Sequence, residues 1–353
     1  MEGAGALLGP AEAVRAEIVH ESGRTRVTRM FFAGGTVIRK EPLGPDAARR
    51  LAHEAAMLAR LRGVAGVAQL AEGPRHPGSV VLADAGDKSL AGLARPLAAD
   101  DLIRLAVPLA RAVAGMHRRE VIHHDITAAN VVLSADGAPC LVDFALATSQ
   151  AEIRLEFTHH SEIVGTLAYL APEQTGRTGR PVDQRTDLYA LGATLYELAT
   201  GEPPFGTGPA SRLLHDHLAR VPVPPAAVVP DVPEPLSAII MHLLEKEPDN
   251  RYQSADGLVY DLERLRDAGA DLRTTAPQAG EHDVPVRLLP PSRLAGRDAE
   301  VAELCDSFAQ ALDGRCAGVL ISGAPGVGKT ALAGELRTVV ASGGGWFVTG
   351  KFD

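Results

Sequence analysis

One segment of this 353-residue chain, VIHHDITAANVVLSADGAPCLVDF at 121–144, constrains the fold and the chemistry more than any other. An apolar strand leads into Asp125, and Asn130 follows five positions later. A turn at 135–137 leads to a second apolar strand, which we expect to end in Asp143. Phosphoryl transfer needs one carboxylate to orient the attacking hydroxyl, and an amide oxygen and a second carboxylate to hold magnesium against the phosphates. The segment therefore predicts a site for this reaction.

The segment resembles the HRDxxxxN catalytic loop and the DFG loop of the protein kinase family, and further kinase motifs occur in the expected order. They are Lys40 in VIRK, Glu54 in LAHEAAML, the sequence APE at 171–173, Asp187 in DLYALG and Arg251 in EKEPDNRYQS. Singly, these could be turn, strand-end or solvated surface residues, but the ordered set favours the family. The resemblance covers roughly residues 15 to 267. It implies a bilobal α+β protein-kinase fold, with a small β-rich N-lobe and a larger helical C-lobe.

The resemblance also implies a role for each residue of the catalytic set. Asp125 would orient the substrate hydroxyl. Lys40, anchored by Glu54, would position the phosphates of ATP, and Asn130 and Asp143 would hold Mg²⁺. The same resemblance assigns three further residues to ATP binding, namely Val27, Leu82 and Asp84.

Four other residues belong to the region around the activation segment. Thr166 would favour a serine or threonine acceptor, and Asp187 would support the catalytic loop. Glu173 is expected to form a largely buried ion pair with Arg251.

The sequence departs from the kinase pattern in several places. The loop HESGRTRV contains a single glycine, Gly23, which lies one position out of register with the family's glycine-rich loop. His124 replaces the arginine that normally reads an activation-loop phosphate, Thr127 replaces a lysine near the transferring phosphate, and Ala145 replaces the DFG glycine. Because the catalytic set is complete, we favour an active serine/threonine kinase. One alternative is a pseudokinase that senses nucleotide or docks a partner; another makes the neighbouring P-loop domain the main chemistry.

A second nucleotide motif, AGVLISGAPGVGKT at 317–330, matches GxxxxGK[ST]. We expect a strand at 319–321 before it and a helix at 331–340 after it, which is the setting of a P-loop. The residues expected to bind ATP there are Gly323, Gly326, Gly328, Lys329 and Thr330, with Thr330 also expected to ligate Mg²⁺.

The residues before the P-loop, LAGR at 294–297 and a predicted helix at 298–312, resemble the entry of AAA-type regulatory ATPases. A second strand is expected at 346–348. Because no later strand ending in a magnesium-site aspartate follows, we expect an incomplete α/β P-loop NTPase domain.

These motifs predict four parts: an N-terminal tail at 1–14, a kinase domain at 15–267, a Pro/Gly-rich linker at 268–292 and the opening of an AAA-type domain at 293–353. This order resembles the front of large bacterial signalling proteins. The resemblance implies protein substrates or autophosphorylation, and downstream signalling modules of the same polypeptide as partners. It identifies neither the substrate nor the output.

The composition is that of a globular protein, with 46% hydrophobic and 22% charged residues. The net charge of −9 disfavours nucleic acid and anionic membranes as partners. The sequence contains neither a signal peptide nor a long apolar span, so a cytoplasmic location is expected. The three cysteines lack metal-ligand spacing, which favours reduced thiols.

The apolar periodicity predicts several secondary-structure elements. We expect a strand at 35–40 and helices at 46–61, 101–117 and 187–200, the last one ended by Gly201. Pro108 should kink the second helix or delay its start.

Overall fold

The computed structural model describes residues 13–71, 77–149, 167–268, 279–284, 294, 296–316, 318–324, 326–343, 345 and 347–348. Thr166 and the tail at 1–12 lie outside these residues. The chain divides into two compact units. The first comprises Met1–Ala94 and Ile103–Ile153, and the second comprises Arg95–Leu102 and Arg154–Asp353.

The first unit contains a four-stranded antiparallel sheet in the order β1–β2–β3–β4. Its strands are β1 (Arg15–Glu21), β2 (Thr25–Phe32), β3 (Gly35–Pro42) and β4 (Val80–Ala83). Helix α1 (Ala47–Arg60) packs against β3. In the β2–β3 ladder Val27 is directly opposite Lys40, so the two side chains project from the same face of the sheet.

Short strands in the first unit bring two loops together. They are β5 (Lys88–Ser89), β6 (Val121–Ile122), β7 (Val131–Leu133), β8 (Pro139–Leu141) and β9 (Thr148–Ser149). Strands β5, β7 and β8 form one sheet, and β6 pairs with β9. As a result, the loop at 123–130 and the loop at 142–147 are each held at both ends by paired strands.

Helix α2 (Ala99–Arg118) begins before Pro108 and passes through it, so of the two expected effects of Pro108, a kink or a delayed start, the delayed start is wrong. Proline removes one backbone donor from the helix, but burial of the apolar stripe offsets this loss. The stripe is the predicted one, and its members Leu102, Ala106, Leu109, Val113 and Met116 are fully buried.

The second unit is organised around α3 (Gln184–Thr200), whose residues 184–199 are all buried. The helix begins three residues earlier than predicted because the Asp183 side chain accepts a hydrogen bond from the Arg185 N–H and caps it. It ends as predicted at Gly201, whose φ of 99° is a left-handed conformation that glycine adopts without strain. The other helices of this part are α4 (Ala210–Ala219), α5 (Pro225–Val228), α6 (Glu234–Leu243) and α7 (Ala255–Ala268).

Part of the predicted linker, residues 279–284, lies against α7. The Asp283 carboxylate accepts hydrogen bonds from the backbone N–H of Gln253 and from the N–H and hydroxyl of Ser254. The Gly280 N–H donates to Asp261 of α7 at 2.8 Å. These six residues are therefore docked by specific hydrogen bonds.

The P-loop region contains α8 (Asp298–Leu312), α9 (Lys329–Gly334) and α10 (Leu336–Ser342). Helix α8 has the predicted bounds, whereas the helix predicted at 331–340 starts at Lys329 and is divided at Glu335. The predicted strand at 319–321 is not found, since residues 318–324 form no strand and Leu320 is 93% exposed. A strand requires a hydrogen-bonded neighbour, and none pairs with this segment among the described residues.

Of the expected strand at 346–348, only Phe347 and Val348 are described, and neither is in a strand. Within the part of the chain that the structure describes, no helix is long and apolar enough to cross a membrane.

Candidate active site

Lys40 is the centre of the site in the first unit. Its Nζ donates to Glu54 Oε1 on α1 and to Asp143 Oδ1 after β8, both at 2.6 Å. The Lys40 and Glu54 side chains are each 7% exposed, and that of Asp143 is 44% exposed. One buried cation therefore connects the sheet, α1 and the loop at 142–147, and only one of its two carboxylates faces solvent.

The charges of this cluster depend on one another. Burial favours the neutral form of Lys40, but the carboxylates of Asp143 and Glu54 outweigh it and raise the pKa of Lys40. Burial also opposes ionisation of Asp143, but Lys40 outweighs it and lowers the pKa of that carboxyl. Burial and the negative charge of Asp143 raise the pKa of Glu54, and together they outweigh the positive charge of Lys40, which lowers it. Asp143 is thus the more firmly ionised carboxylate of the two.

Asp143 has a left-handed backbone with φ of 65°, which is uncommon for a residue other than glycine. The turn ends β8 two residues before Asp143, so the predicted strand does not extend to Asp143. The Ala145 N–H donates to Asp143 Oδ1 at 3.3 Å. His53, next to Glu54 on α1, donates from Nε2 to the Ala147 carbonyl at 2.6 Å. These bonds hold the loop and α1 together around the carboxylate.

Asp125 and Asn130 form the second half of the site. Asn130 Nδ2 donates to the Asp125 carboxylate at 2.8 Å and to the Asp125 carbonyl at 2.9 Å. The Thr127 hydroxyl accepts from the Asn130 N–H at 3.3 Å and caps the turn Ala128–Asn130. Thr127, found where kinases usually have a lysine, is buried and shapes the loop.

Histidine 123 links the two loops. Its Nδ1 accepts from the Asp125 N–H at 3.2 Å, so Nε2 must be the protonated nitrogen that donates to the Val142 carbonyl at 3.0 Å. The ring also contacts Phe144 edge-on, with centroids 4.7 Å apart. This bridge places the loop that carries Asp125 beside the loop that carries Asp143.

His124 forms a contact that the sequence did not predict. Its φ is 67°, and a hydrogen bond of 2.7 Å joins His124 Nε2 to Thr148 Oγ1 on β9. The histidine that replaces the phosphate-reading arginine is thus bonded within the same unit to the hydroxyl of a threonine. Residues 24 positions apart meet here, and their spacing in the sequence carries no signal for it.

The three further ATP residues differ in how they are placed. Val27 lies on the same sheet face as Lys40, and Leu82 on β4 is 7% exposed. The Asp84 carboxylate accepts from Arg29 Nε at 2.8 Å and from the Gly86 N–H at 3.1 Å. Burial opposes ionisation of Asp84, but these hydrogen bonds lower its pKa. The Asp84 side chain is therefore occupied by Arg29, an interaction that sequence reasoning missed.

The donor set fits magnesium. Asn130 uses its amide nitrogen toward Asp125, which leaves its Oδ1 for another partner, and Asp143 presents an ionised, half-exposed carboxylate. Magnesium prefers oxygen ligands and is commonly held by one or two protein groups together with phosphates. The described residues contain no cluster of three or more His, Cys, Asp or Glu side chains that could hold a metal by itself.

The predicted ion pair in the second unit is present. Arg251 donates from Nη1 to Glu173 Oε1 at 2.7 Å and from Nη2 to Glu173 Oε2 at 2.8 Å, and both side chains are fully buried. Thr186 donates to the same carboxylate at 2.8 Å. Burial opposes ionisation of Glu173, but Arg251 outweighs it and lowers the pKa. Asp187, in the first turn of α3, is also fully buried.

The P-loop residues are found around the start of α9. Gly323, Gly326 and Gly328 have φ of 156°, 82° and 92°. Lys329 Nζ donates to the carbonyls of Gly323 and Ala324 at 2.8 and 2.9 Å. Thr330 follows as an exposed residue of the helix. The lysine thus folds back over its own glycine-rich loop, at the end where phosphates bind in P-loops.

Comparisons with known proteins match both parts of the chain to domain families. A family model described as "Protein kinase domain" matches residues 23–260, and one described as "AAA ATPase domain" matches residues 293–353. Serine/threonine-protein kinase PknB of Mycolicibacterium smegmatis is 37% identical over 176 residues, which are 50% of this chain and 28% of the relative.

Two further relatives give the same result. A probable serine/threonine-protein kinase of Streptomyces coelicolor is 30% identical over 283 residues, 73% of this chain and 41% of the relative. PknB of Mycobacterium tuberculosis is 36% identical over 171 residues, 48% of this chain and 27% of the relative. The chain therefore spans less than half the length of these relatives.

Proposed function

The chain belongs to the protein kinase family, and we propose that it transfers the γ-phosphate of ATP to serine and threonine hydroxyls of proteins. The names of its relatives, which are serine/threonine kinases, support the choice of acceptor. The resemblance of the segment before 171–173 supports it too, with Thr166 proposed to favour these hydroxyls.

One observation carries the proposal. Lys40 is bonded to Glu54 and Asp143, while Asn130 is bonded to Asp125, all within one compact unit. Each of these groups is held by at least one hydrogen bond before any substrate arrives. Such preorganisation is what electrostatic catalysis requires.

The roles follow from these positions. Lys40, kept protonated by its carboxylate neighbours, is proposed to bind the ATP phosphates, and Val27 and Leu82 to line the adenosine site. Asp125, oriented by Asn130, is proposed to accept a hydrogen bond from the substrate hydroxyl and to draw its proton. Magnesium, when bound, would neutralise phosphate charge.

Asn130 Oδ1 and the Asp143 carboxylate are the proposed ligands of that metal. Asp143 is the exposed carboxylate of the Lys40 cluster, and its low pKa keeps it ionised near neutral pH. For the substrate side, we propose that the Glu173–Arg251 pair anchors the activation segment and that Asp187 supports the catalytic loop.

A pseudokinase is the less favoured alternative. The arguments for it are the poor glycine loop and the presence of His124 and Thr127 in place of basic residues. Both side chains have local structural partners, Thr148 and the Asn130 N–H, so neither leaves its loop unsupported. Regulation by a phosphate on the activation loop is not part of the proposal.

We also propose a wider setting for this activity. The kinase domain at 15–267 would be joined through residues 268–292 to a nucleotide-binding domain beginning at 293, with Lys329 and Thr330 contacting the phosphates and Mg²⁺. The whole would act in cytoplasmic signal transduction, with protein substrates or itself as acceptor and with further modules of the same polypeptide as downstream partners.

Labelled ATP tests the kinase activity directly. The 353-residue chain should label itself or a general protein substrate, and Asp125→Asn should reduce the rate by at least about a hundredfold. Asp136→Asn, in the exposed turn between β7 and β8, is the matched control and should keep the wild-type rate. Equal labelling by wild type and Asp125→Asn would show that the site does not perform this reaction.

A further inference from the structure

Arg180 is a buried arginine held between two carboxylates. Its Nε donates to Glu247 Oε2 at 3.0 Å, and its two Nη atoms donate to the Glu335 oxygens at 2.9 and 3.2 Å. The side chains of Arg180 and Glu335 are 8% and 12% exposed. A two-pronged guanidinium–carboxylate pair is the strong, directional form of such a contact. The two residues are 155 positions apart in the sequence.

Arg180 ends a tightly bonded segment that starts at the APE motif. Glu173 lies in the turn Pro172–Thr175, where the Thr175 hydroxyl donates to the Pro172 carbonyl at 2.6 Å and accepts from the Arg177 N–H at 3.1 Å. The Thr178 hydroxyl accepts from the Arg180 N–H at 3.2 Å. The segment from Glu173 to Arg180 is thus short, and hydrogen bonds between its own residues stabilise it.

Glu247 connects Arg180 to Glu173 by a second route. The two residues before it, Glu245 and Lys246, accept hydrogen bonds from Arg251 through their backbone carbonyls at 2.7 and 3.0 Å. Arg251 in turn holds Glu173. The segment 245–247 therefore contacts Arg180 through a side chain and Arg251 through its backbone.

Glu335 lies at the junction of α9 and α10, six residues after the P-loop lysine Lys329. Helix α10 packs against α4, and α4 packs against the segments Leu167–Tyr169 and Pro172–Thr175. Gly179 has a φ of 71°, and a β-carbon there would lie 3.0 Å from Arg337 Cδ. The close approach of Arg337 to a residue without a side chain shows that the helix fits this surface.

We propose that Gly179, Arg180 and α4 form a docking surface for the α9–α10 helices of the same chain, through which the state of the P-loop reaches the activation segment. Glu335 is the specific contact, because its two carboxylate oxygens accept hydrogen bonds from both Nη atoms of a buried arginine. The route runs from the P-loop to Glu335, Arg180 and Glu173.

In this proposal, nucleotide binding acts first on the contacts of Lys329. Its ammonium is bonded to the Gly323 and Ala324 carbonyls, and binding of phosphate must draw it from them. Because Lys329 is the first residue of α9, this change is made at the start of the helix pair that ends on α4. This half of the proposal rests on the proposed nucleotide binding by the P-loop, whereas the docking surface does not.

Hydrogen–deuterium exchange of the 353-residue chain tests the docking surface without using kinase activity. Arg180→Ala and Glu335→Ala should each speed amide exchange in α10 by about tenfold, and the double variant should add little to either change. Glu247→Ala removes a second carboxylate that is bonded to Arg180 and is the matched control, so α10 should stay protected. Arg212→Ala removes an ion pair within α4 between an exposed arginine and the buried Asp216, and it should also leave α10 unchanged.

Three outcomes would overturn the docking surface. They are unprotected α10 amides in the wild type, additive effects of Arg180→Ala and Glu335→Ala, and loss of α10 protection in Glu247→Ala equal to that in Arg180→Ala. The last would mean that Arg180 acts through the general stability of its unit.

The coupling half is tested with a non-hydrolysable ATP analogue in the wild type and in Lys329→Ala. We expect the analogue to change exchange in α10 and in residues 172–180 at least threefold in the wild type only. The same response in Lys329→Ala would trace it to the kinase site and overturn the coupling, while the docking result would stand. No response in either protein, with analogue binding at the P-loop verified, would overturn it as well.

Discussion

At the scale of single residues, Lys246 and Arg251 are close in sequence but have opposite surroundings. Arg251 is fully buried and is paired with the Glu173 carboxylate, while its remaining donors reach backbone carbonyls. Lys246 lies 4.5 Å from the centre of the Phe205 ring and donates to the Asp216 carbonyl at 3.3 Å. Burial lowers the pKa of Lys246 to about 7, with the nearby Arg251 charge adding to the shift. The charge of Arg251 is thus compensated by a paired carboxylate, whereas the bond of Lys246 to Asp216 is to a neutral carbonyl.

The buried pair yields the first prediction. Arg251→Ala should lower the free energy of unfolding by about 3–5 kcal/mol, because it leaves the Glu173 carboxylate buried without its counter-charge. Urea denaturation measures the change. Arg266→Ala, which removes an exposed pair with Asp267, is the control and should cost less than about 1 kcal/mol. Similar losses in the two variants would contradict a special role for the buried pair.

Lys246 yields the second prediction, which concerns pH. Its folded pKa is about 7 and its unfolded value is near 10.5, so between these values the unfolded chain binds a proton that the folded chain has released. Stability therefore rises with pH in this window, by up to about 1.4 kcal/mol per pH unit. Lys246→Met lacks this slope and should be more stable than wild type at pH 6, with the advantage shrinking toward pH 9.

The measurement is a series of urea denaturation curves from pH 6 to pH 9. All other titrating groups are shared by the two proteins, so the difference between their stabilities isolates Lys246. Parallel curves would mean that the lysine keeps its ordinary pKa in the folded state. In the folded protein the neighbouring His217 does not titrate in this range, because burial lowers its pKa to about 3, and its titration in the unfolded chain is common to both proteins.

The catalytic residues could be identified from the sequence, but several hydrogen bonds and ion pairs of the residues around them could not. The ion pairs of Lys40 with Glu54 and of Arg251 with Glu173 could be predicted, because family motifs mark both partners. The bonds between His124 and Thr148, Arg29 and Asp84, and Arg180 and Glu335 could not. Their partners are brought together by folding over 24, 55 and 155 residues, and no local pattern encodes such a distance.

At the scale of elements, prediction succeeded where local chemistry decides the structure. Helix α8 has the predicted bounds, and α3 ends at Gly201 because glycine accepts a left-handed backbone there. The failures have tertiary causes. Helix α2 tolerates Pro108 because its apolar stripe is buried, and the strand expected at 319–321 has no described neighbour to pair with.

The docked part of the linker gives a prediction about α7. The Ser254 hydroxyl caps this helix by accepting from the Gly257 N–H at 3.0 Å, and Asp283 accepts from Ser254. A β-carbon on Gly257 would lie 2.3 Å from Asp283 Oδ1, so glycine is required only while Asp283 is docked. Gly257→Ala should therefore destabilise the wild type by more than about 1 kcal/mol.

In an Asp283→Gly background the sign should reverse. Without the carboxylate and the β-carbon of Asp283, alanine inside α7 is favoured over glycine by up to about 1 kcal/mol, so Gly257→Ala should stabilise the protein. Urea denaturation of the four proteins gives this cycle. The same effect of Gly257→Ala in both backgrounds would show that residues 279–284 are not docked on α7 in solution.

At the scale of the whole molecule, the chain contains two nucleotide-binding motifs. They differ in how many of the surrounding elements are bonded to one another. The groups around Lys40 come from a sheet, a helix and two loops that are bonded to one another. The P-loop is preceded by residues 318–324, which form no strand and include the exposed Leu320. Its lysine is bonded to the loop itself. Among the described residues, the side chains of the Lys40 site are therefore hydrogen-bonded to one another, whereas the P-loop has no paired strand beside it.

This contrast predicts which site consumes ATP. Hydrolysis at a P-loop requires an oriented water, a metal held from two sides and commonly an arginine finger. Among the described residues around Lys329, Thr330 is the one proposed metal ligand. The kinase site has its carboxylates in place, so ATP turnover by the 353-residue chain should depend on that site.

We expect Asp125→Asn to remove most of the turnover and Lys329→Ala to leave it within about twofold of the wild type. A coupled assay of ADP release on the three proteins measures this, with Asp136→Asn as the control for a neutral carboxylate change. If Lys329→Ala abolished turnover and Asp125→Asn spared it, the P-loop would be the working ATPase of this chain, and the order of the two sites argued from their surroundings would be wrong.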